Sequence, residues 1–105
     1  MTNLQRSTES DIARGVLRVL AASDTGSASM QDIIQRIPLT VTLTVADRDM
    51  SDTRPNEEMW EQQVRNITSH HNSPGNFIHE GYLQRIAGGL QITDAGRAYI
   101  ASLES

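Results

Sequence analysis

The chain contains neither cysteine nor lysine, and only 4% of its residues are aromatic. Without cysteine it cannot form disulfides, thiolate nucleophiles or cysteine-bound metal clusters. Its nine basic residues are all arginine and face thirteen acidic ones, which leaves a net charge of −4. Affinity for nucleic acid comes largely from neutralising phosphates. This charge balance therefore argues against a protein that coats DNA indiscriminately.

Long apolar runs are also missing. No stretch approaches the roughly 18 apolar residues of a membrane span, and the N-terminal residues have no apolar signal-peptide core. We therefore expect a soluble, cytoplasmic protein that does not associate with membranes. A chain of 105 residues that is 37% hydrophobic fits one domain. We expect residues 1–7 to be a flexible tail and residues 8–105 to form that domain.

Hydrophobic periodicity predicts a mainly α-helical domain with one small β-ribbon. The second helix should end before Pro38, because proline disfavours helical geometry in the residue that precedes it. Two consecutive glycines supply the positive φ angles of a tight hairpin turn. The predicted elements are helices over Asp11–Ala22, Ser29–Ile37, Glu57–His71 and Asp94–Leu103, and a hairpin formed by Leu83–Ile86 and Leu90–Ile92.

The segment between the second and third helices carries two signals. From Leu39 to Val45, apolar residues alternate with threonine, which is typical of a strand. The stretch that begins at Thr44 instead resembles a capped helical turn. We expect an extended part followed by such a turn. Val41, Leu43 and Val45 could then form an edge for strand addition, or a third strand on the ribbon.

The third helix has two contrasting faces. Trp60, Val64 and Ile67 follow one another at helical spacing, and His71 continues the same stripe, so this face should be buried. Asn56 is the expected N-cap. The opposite face is polar and can donate and accept hydrogen bonds. Its members are Glu58, Gln62, Arg65, Asn66 and Ser69.

The last helix should begin with Thr93 as its N-cap. Its inward residues are expected to be Ala95, Ala98, Tyr99 and Leu103. Together the elements run helix, short helix, long helix, ribbon, helix. A winged helix-turn-helix has this order: three helices share one core and a β-ribbon closes its open side.

Three segments make the resemblance more specific: Trp60-Glu-Gln-Gln-Val-Arg-Asn66, Gly81-Tyr-Leu-Gln-Arg-Ile86 and Gly88-Gly-Leu-Gln-Ile-Thr-Asp-Ala-Gly-Arg97. They resemble the N-terminal winged-helix domain of Mrr-type restriction endonucleases and related restriction-system and HARE modules. The likeness spans about residues 11–103 and is most distinctive over 60–100. It implies a bacterial or phage protein that binds double-stranded DNA, in transcription regulation or in restriction and defence.

In such a module the third helix enters the major groove. In this docking mode Gln62, Arg65, Asn66 and Ser69 would face the groove. Gln62 and Asn66 suit adenine, because amide side chains can make paired hydrogen bonds to it, and Arg65 could contact guanine or a phosphate. Arg54 and Arg85 would hold phosphates. The chain has no room for a nuclease domain, so no cleavage activity is carried over. We therefore expect a non-enzymatic protein.

No catalytic residue, metal site or cofactor is expected. The sequence contains no phosphate-binding loop, nucleophile motif or paired carboxylates. His70, His71 and His79 beside Glu80 could suggest a metal site. Such a site needs several ligands at fixed geometry, and surface or partly buried histidines explain these residues more simply.

Two alternatives remain open. The polar face of the third helix could be only a solvated surface. The domain could also be a protein-protein interaction module, since an acidic surface suits a partner with a basic patch. A homodimer through the C-terminal helix would fit the two-fold symmetry of many helix-turn-helix proteins.

Overall fold

The computed structural model describes residues 6–51, 54 and 56–104. Over these residues the chain is mainly helical and adds a small three-stranded antiparallel sheet, which confirms the predicted fold class at that level. The helices are α1 (Glu9–Ala21), α2 (Met30–Thr40), α3 (Met59–Ser69) and α4 (Asp94–Glu104). The strands are β1 (Ser27–Ser29), β2 (Leu83–Ile86) and β3 (Gly89–Ile92), in the spatial order β1-β3-β2.

Helix α1 begins two residues before the predicted start because Thr8 caps it. The backbone N–H of Asp11 donates to Thr8 Oγ1 at 3.0 Å, and the Asp11 carboxylate accepts from the Thr8 N–H at 2.9 Å. This reciprocal capping box satisfies two backbone donors at once. Of the tail expected over residues 1–7, only Arg6 and Ser7 are described, and Ser7 is hydrogen-bonded to Asp47.

Helix α2 starts as predicted, with Ser29 Oγ accepting from the Asp32 N–H at 3.1 Å. The prediction that it stops before Pro38 is wrong, because Pro38 lies inside a helix that continues to Thr40. The proline removes only one backbone donor here. The N–H of Val41 still donates to the Ile37 carbonyl at 2.8 Å, and Ile37 is fully buried. Packing of that last turn outweighs the local preference of the proline.

The third strand comes from a different place than expected. Residues 27–29 form it and pair with β3, whereas residues 41–45 belong to no strand. Val41 instead packs on α1, where a Cβ on Gly15 would collide with its methyl group. Gly15 therefore allows a close approach between two chain segments, which the sequence alone did not indicate. The helical turn expected after Thr44 is confirmed as a 3-10 turn over Ala46–Arg48.

Helix α3 is shorter than predicted at both ends. Asn56 does not cap it; that residue has a φ of +70°, and Glu58 is the N-cap. The Glu58 N–H donates to the Glu61 side chain at 3.2 Å. The predicted inward stripe is confirmed, because Trp60, Val64 and Ile67 are all buried.

The hairpin is confirmed, but only Gly88 of its two consecutive glycines has a positive φ, +74°. Gly89 is the first residue of β3 and pairs with Ser29 and Ile86, so the expectation that both glycines supply positive φ angles is wrong. The predicted inward face of α4 is partly wrong. Ala95 and Ala98 are exposed and Leu103 is 46% exposed, whereas Gly96 and Ile100 are buried and Tyr99 is half-buried. Thr93 caps the helix as expected, because its Oγ1 accepts from the Gly96 N–H at 3.0 Å. Gly96 lies against the backbone carbonyl of Tyr82.

A single core joins the helices to the sheet. Its fully buried members come from α1, α2, α3 and both hairpin strands: Ile12, Val16, Leu17, Leu20, Ile33, Ile37, Val64, Ile67 and Leu90 are 0% exposed, and Leu83 is 2% exposed. None of the described helices has the length and apolar character needed to cross a membrane.

Candidate nucleic-acid interface

The outward face of α3 is polar but only partly open. Trp60 is 6% exposed and fixes the inward direction of the helix. On the opposite side Gln62, Arg65 and Asn66 are half-buried, and Ser69 is exposed. The structure therefore brings these four predicted site residues together on one helix face. The connection before the helix covers part of that face.

Glu57, in that connection, holds the predicted site residue Arg65. Arg65 Nε donates to both carboxylate oxygens of Glu57, at 2.9 and 3.2 Å. The Arg65 side chain is 35% exposed and the Glu57 side chain 18%. A partly buried pair of this kind is oriented more firmly than a pair of mobile surface side chains. Helical periodicity predicts the outward position of Arg65, but it does not indicate that Glu57 is its partner.

Gln62 is also held from the connection. Its Oε1 accepts a hydrogen bond from Ser51 Oγ. This leaves the amide Nε2 as the donor that Gln62 offers to an outside partner. Asn66 makes no side-chain hydrogen bond within the described residues, and Ser69 Oγ donates weakly, at 3.4 Å, to the Arg65 carbonyl.

The two predicted phosphate contacts lie on different elements of the fold. Arg54 is exposed in the connection, where its carbonyl accepts from the Glu57 N–H at 3.2 Å. Arg85 is exposed on β2 and lies directly opposite Leu90 in the ladder. Opposed residues of an antiparallel pair share one sheet face. Since Leu90 is fully buried, Arg85 lies on the face of the sheet that covers the helices.

Most of the positive charge near the start of α3 is matched by carboxylates. Arg48 pairs with Glu58 at 3.4 Å, and Arg6 with Asp49 at 3.7 Å. In contrast, a minority of the arginines form no ion pair with any described carboxylate. They are Arg36, Arg54, Arg85 and Arg97.

A buried carboxylate fixes the connection to the rest of the domain, although the polar sequence around it gives no sign of burial. Asp47 is 1% exposed; it accepts from the Ser7 N–H at 2.6 Å, from Ser7 Oγ at 2.7 Å and from the Thr44 N–H at 3.0 Å. Burial raises the pKa of Asp47, but the hydrogen bonds from Thr44 and Ser7 together outweigh it and hold that pKa below its ordinary value. The Ser7 carbonyl also accepts from Gln63 Nε2 at 3.2 Å, so the segment that is hydrogen-bonded to Asp47 is also hydrogen-bonded to α3.

A second unrecognised residue secures the other end of α3. Asn76 is 4% exposed, and its amide donates to the Ile67 carbonyl at 2.9 Å and to Glu9 Oε2 at 3.2 Å. Its Oδ1 accepts from the backbone N–H groups of Ile78 and His79 at 2.8 and 3.2 Å. The Pro-Gly-Asn sequence before Phe77 signals a local turn of this kind.

The three histidines make separate local contacts. Nδ1 of His70 lies 2.6 Å from Glu9 Oε1, and Nδ1 of His79 lies 3.1 Å from Glu80 Oε2. Nδ1 of His71, on the inward stripe, is 3.0 Å from the Thr68 carbonyl. Across the described part of the chain, no three histidine or acidic side chains form a group that could hold a metal ion.

Comparison with known proteins returns no relative. No family model, curated protein or solved structure matches this chain. The likeness to Mrr-type winged helices therefore rests on the residues quoted for it and stays a prediction.

Proposed function

We propose that this protein is a winged helix that binds double-stranded DNA without enzymatic activity, with α3 in the major groove. Its elements follow the order α1-β1-α2-α3-β2-β3-α4, and the sheet has the order β1-β3-β2. This layout supports the winged-helix assignment, because the hairpin comes directly after the candidate recognition helix. Fold alone does not decide function, so the proposal depends on what α3 presents.

One observation carries the proposal: the side of α3 opposite the buried Trp60 presents an arginine and two amide side chains. These are the side-chain types that form paired hydrogen bonds with base edges in the major groove. Arg65, Gln62 and Asn66 are half-buried and lie within two turns of one helix. They could therefore contact neighbouring base pairs from one docking position.

The charges of the chain indicate what kind of DNA binder it would be. Most arginines near α3 are paired with carboxylates, and Arg54 and Arg85 are the exposed exceptions assigned to phosphates. Few phosphate contacts mean weak non-specific affinity, and duplex affinity should fall by about one power of the salt concentration per phosphate contact. We therefore propose a binder that selects a short sequence, in a regulatory or restriction-linked role.

The test is selection from a random duplex library, followed by anisotropy titrations of the selected duplex at several salt concentrations. The Gln62→Ala/Arg65→Ala double variant should lose binding by at least about 10-fold while keeping the helical circular dichroism spectrum. Arg18→Ala is the matched control, because it removes the same charge from the α1–α4 side, where Arg18 pairs with Glu104. Unchanged binding by the double variant would contradict this use of α3.

A protein-interaction module is the second candidate, and one observation favours it. Leu39, Val45 and Met50, in or next to the α2–α3 connection, are 87, 65 and 57% exposed. Val41 and Leu43 no longer suit strand addition, because both pack partly against the core. A protein partner would bind with a shallow salt dependence and without competition from duplex DNA.

A further inference from the structure

We propose that Glu57 is a positioning residue that aims Arg65 at a guanine, so that the protein requires a guanine N7 in its site. This inference rests on the proposed DNA binding and specifies which base that surface recognises. It starts from which nitrogen of Arg65 the carboxylate occupies. Only Nε donates to Glu57, and no described residue accepts from Nη1 or Nη2.

The unused edge of the guanidinium is suited to a base. A guanidinium presents its donors in a rigid planar fork, and holding Nε fixes the plane in which the two Nη groups lie. Guanine offers two acceptors, O6 and N7, side by side in the major groove, and a paired contact with arginine is the commonest specific contact there. Glu57 therefore restricts Arg65 to a geometry in which both Nη groups can donate to one base.

The same carboxylate disfavours a phosphate as the partner of Arg65. Attraction to a phosphate depends on net positive charge, and the Arg65–Glu57 pair together carries none. The acceptors of guanine are neutral, so their binding depends on the direction of the donors more than on net charge. The side chain of Glu57 is 18% exposed, so the carboxylate that holds Arg65 is largely shielded from solvent.

Gln62 adds to this preference. Ser51 Oγ already donates to Gln62 Oε1, and no described residue accepts from Gln62 Nε2, which stays a donor for a bound base. A paired contact with adenine needs the amide to accept and to donate at once. Because Ser51 occupies the amide oxygen of Gln62, the remaining NH2 group is better matched to a base edge that presents acceptors. Both side chains thus present donors, and guanine has the acceptor-rich edge that they fit.

The experiment compares the selected duplex with copies in which single guanines are replaced by 7-deazaguanine, which lacks the N7 acceptor. The full-length protein should bind at least one of these copies at least about 5-fold more weakly, because one of the two charge-assisted hydrogen bonds of the paired contact is lost. Arg65→Met should bring this penalty below about 5-fold, because the thioether has similar length but no donor for N7.

Glu57→Gln is the deciding variant. It removes one negative charge, so binding of the 7-deazaguanine copy should hold or improve at low salt. The selected duplex loses its paired contact, and the 7-deazaguanine penalty therefore falls below about 5-fold. A purely structural role would weaken both duplexes equally and leave the penalty unchanged. Arg48→Lys is the control, because Arg48 pairs with Glu58 at 3.4 Å and not with Glu57. It should keep the full penalty.

The possible results distinguish a failure of the guanine requirement from a failure of the proposed DNA binding. If the parent protein selects and binds no duplex, the proposed function fails and the inference fails with it. If the parent binds but tolerates every 7-deazaguanine, DNA binding stands and the guanine requirement is wrong. If Glu57→Gln keeps the full penalty, Arg65 reads guanine unaided and the positioning role is refuted.

Discussion

Replacing Asp47 by asparagine tests whether the buried carboxylate secures the α2–α3 connection. The two side chains have nearly the same shape, so packing is preserved. One oxygen of Asp47 accepts from the Ser7 N–H at 2.6 Å, and the other accepts from Ser7 Oγ and from the Thr44 N–H at 2.7 and 3.0 Å. An amide has a single oxygen. In either orientation its NH2 group faces a backbone N–H, so a donor opposes a donor.

The expected cost follows from these contacts. A hydrogen bond to a charged group contributes about 1.5–3 kcal/mol, and a buried donor left unpaired costs about 1–3 kcal/mol. These contributions overlap, so Asp47→Asn should lower the free energy of unfolding by about 2–4 kcal/mol. For a domain of this size the Tm should fall by at least about 8 °C.

The dependence on pH gives an independent check. The pKa of Asp47 is lowered in the folded protein. Its contribution to stability is therefore present above the pKa of the unfolded chain and is lost as the pH falls through the lowered value. The stability gap between parent and Asp47→Asn should be constant near neutrality and shrink below about pH 4.

Urea unfolding from pH 7 down to pH 2.5, followed by circular dichroism, measures both effects. Asp49→Asn is the matched control. Asp49 is only two residues away, but its side chain is 59% exposed and pairs with Arg6 at 3.7 Å, so its loss should cost less than about 1 kcal/mol. The reasoning is refuted if the two variants are equally stable, or if the gap for Asp47→Asn does not change with pH.

Three further substitutions test buried contacts of the domain, and the free energy of unfolding of each variant is measured by urea unfolding. Asn76→Ala should cost at least about 2 kcal/mol, because it leaves the buried Ile67 carbonyl and the N–H of Ile78 without their partner; a cost under about 0.5 kcal/mol would contradict this role. Gly96→Ala should destabilise although alanine favours helices by about 1 kcal/mol, since its Cβ would collide with the Tyr82 carbonyl. A gain in stability would refute that contact. Trp60→Ala should cost about 3–5 kcal/mol; a cost near zero would contradict the inward direction of α3.

The features predicted correctly from the sequence depend on neighbours within one turn of the chain. The cap at Thr93 and the stripe that contains Trp60 are of this kind, because spacings of three and four residues encode them directly. The hairpin turn at Gly88 is equally local. Such signals locate the helices and the ribbon and identify which face of α3 points away from the core.

The errors come from contacts between distant segments. Pro38 stays helical because Ile37 is buried in the core, and β1 is a strand because its backbone pairs with β3. Ala95 and Ala98 face outward because Gly96 must lie against the carbonyl of Tyr82. No pattern within one helix or strand carries this information.

The same limit applies to the candidate site. The outward direction of Arg65 and Gln62 could be predicted from helical periodicity. Their partners Glu57 and Ser51 lie in the connection, outside any helix, so the periodicity of α3 cannot indicate them. The contacts with Glu57 and Ser51 restrict the directions in which Arg65 and Gln62 can donate hydrogen bonds.

The most direct test of the account is a titration of the isotope-labelled protein with its selected duplex, followed by amide chemical shifts. The account predicts that the largest changes lie in α3, including Gln62, Arg65, Asn66 and Ser69, and extend to Arg85 on the hairpin. Changes confined to α4, or no changes at duplex concentrations that saturate the anisotropy signal, would contradict it.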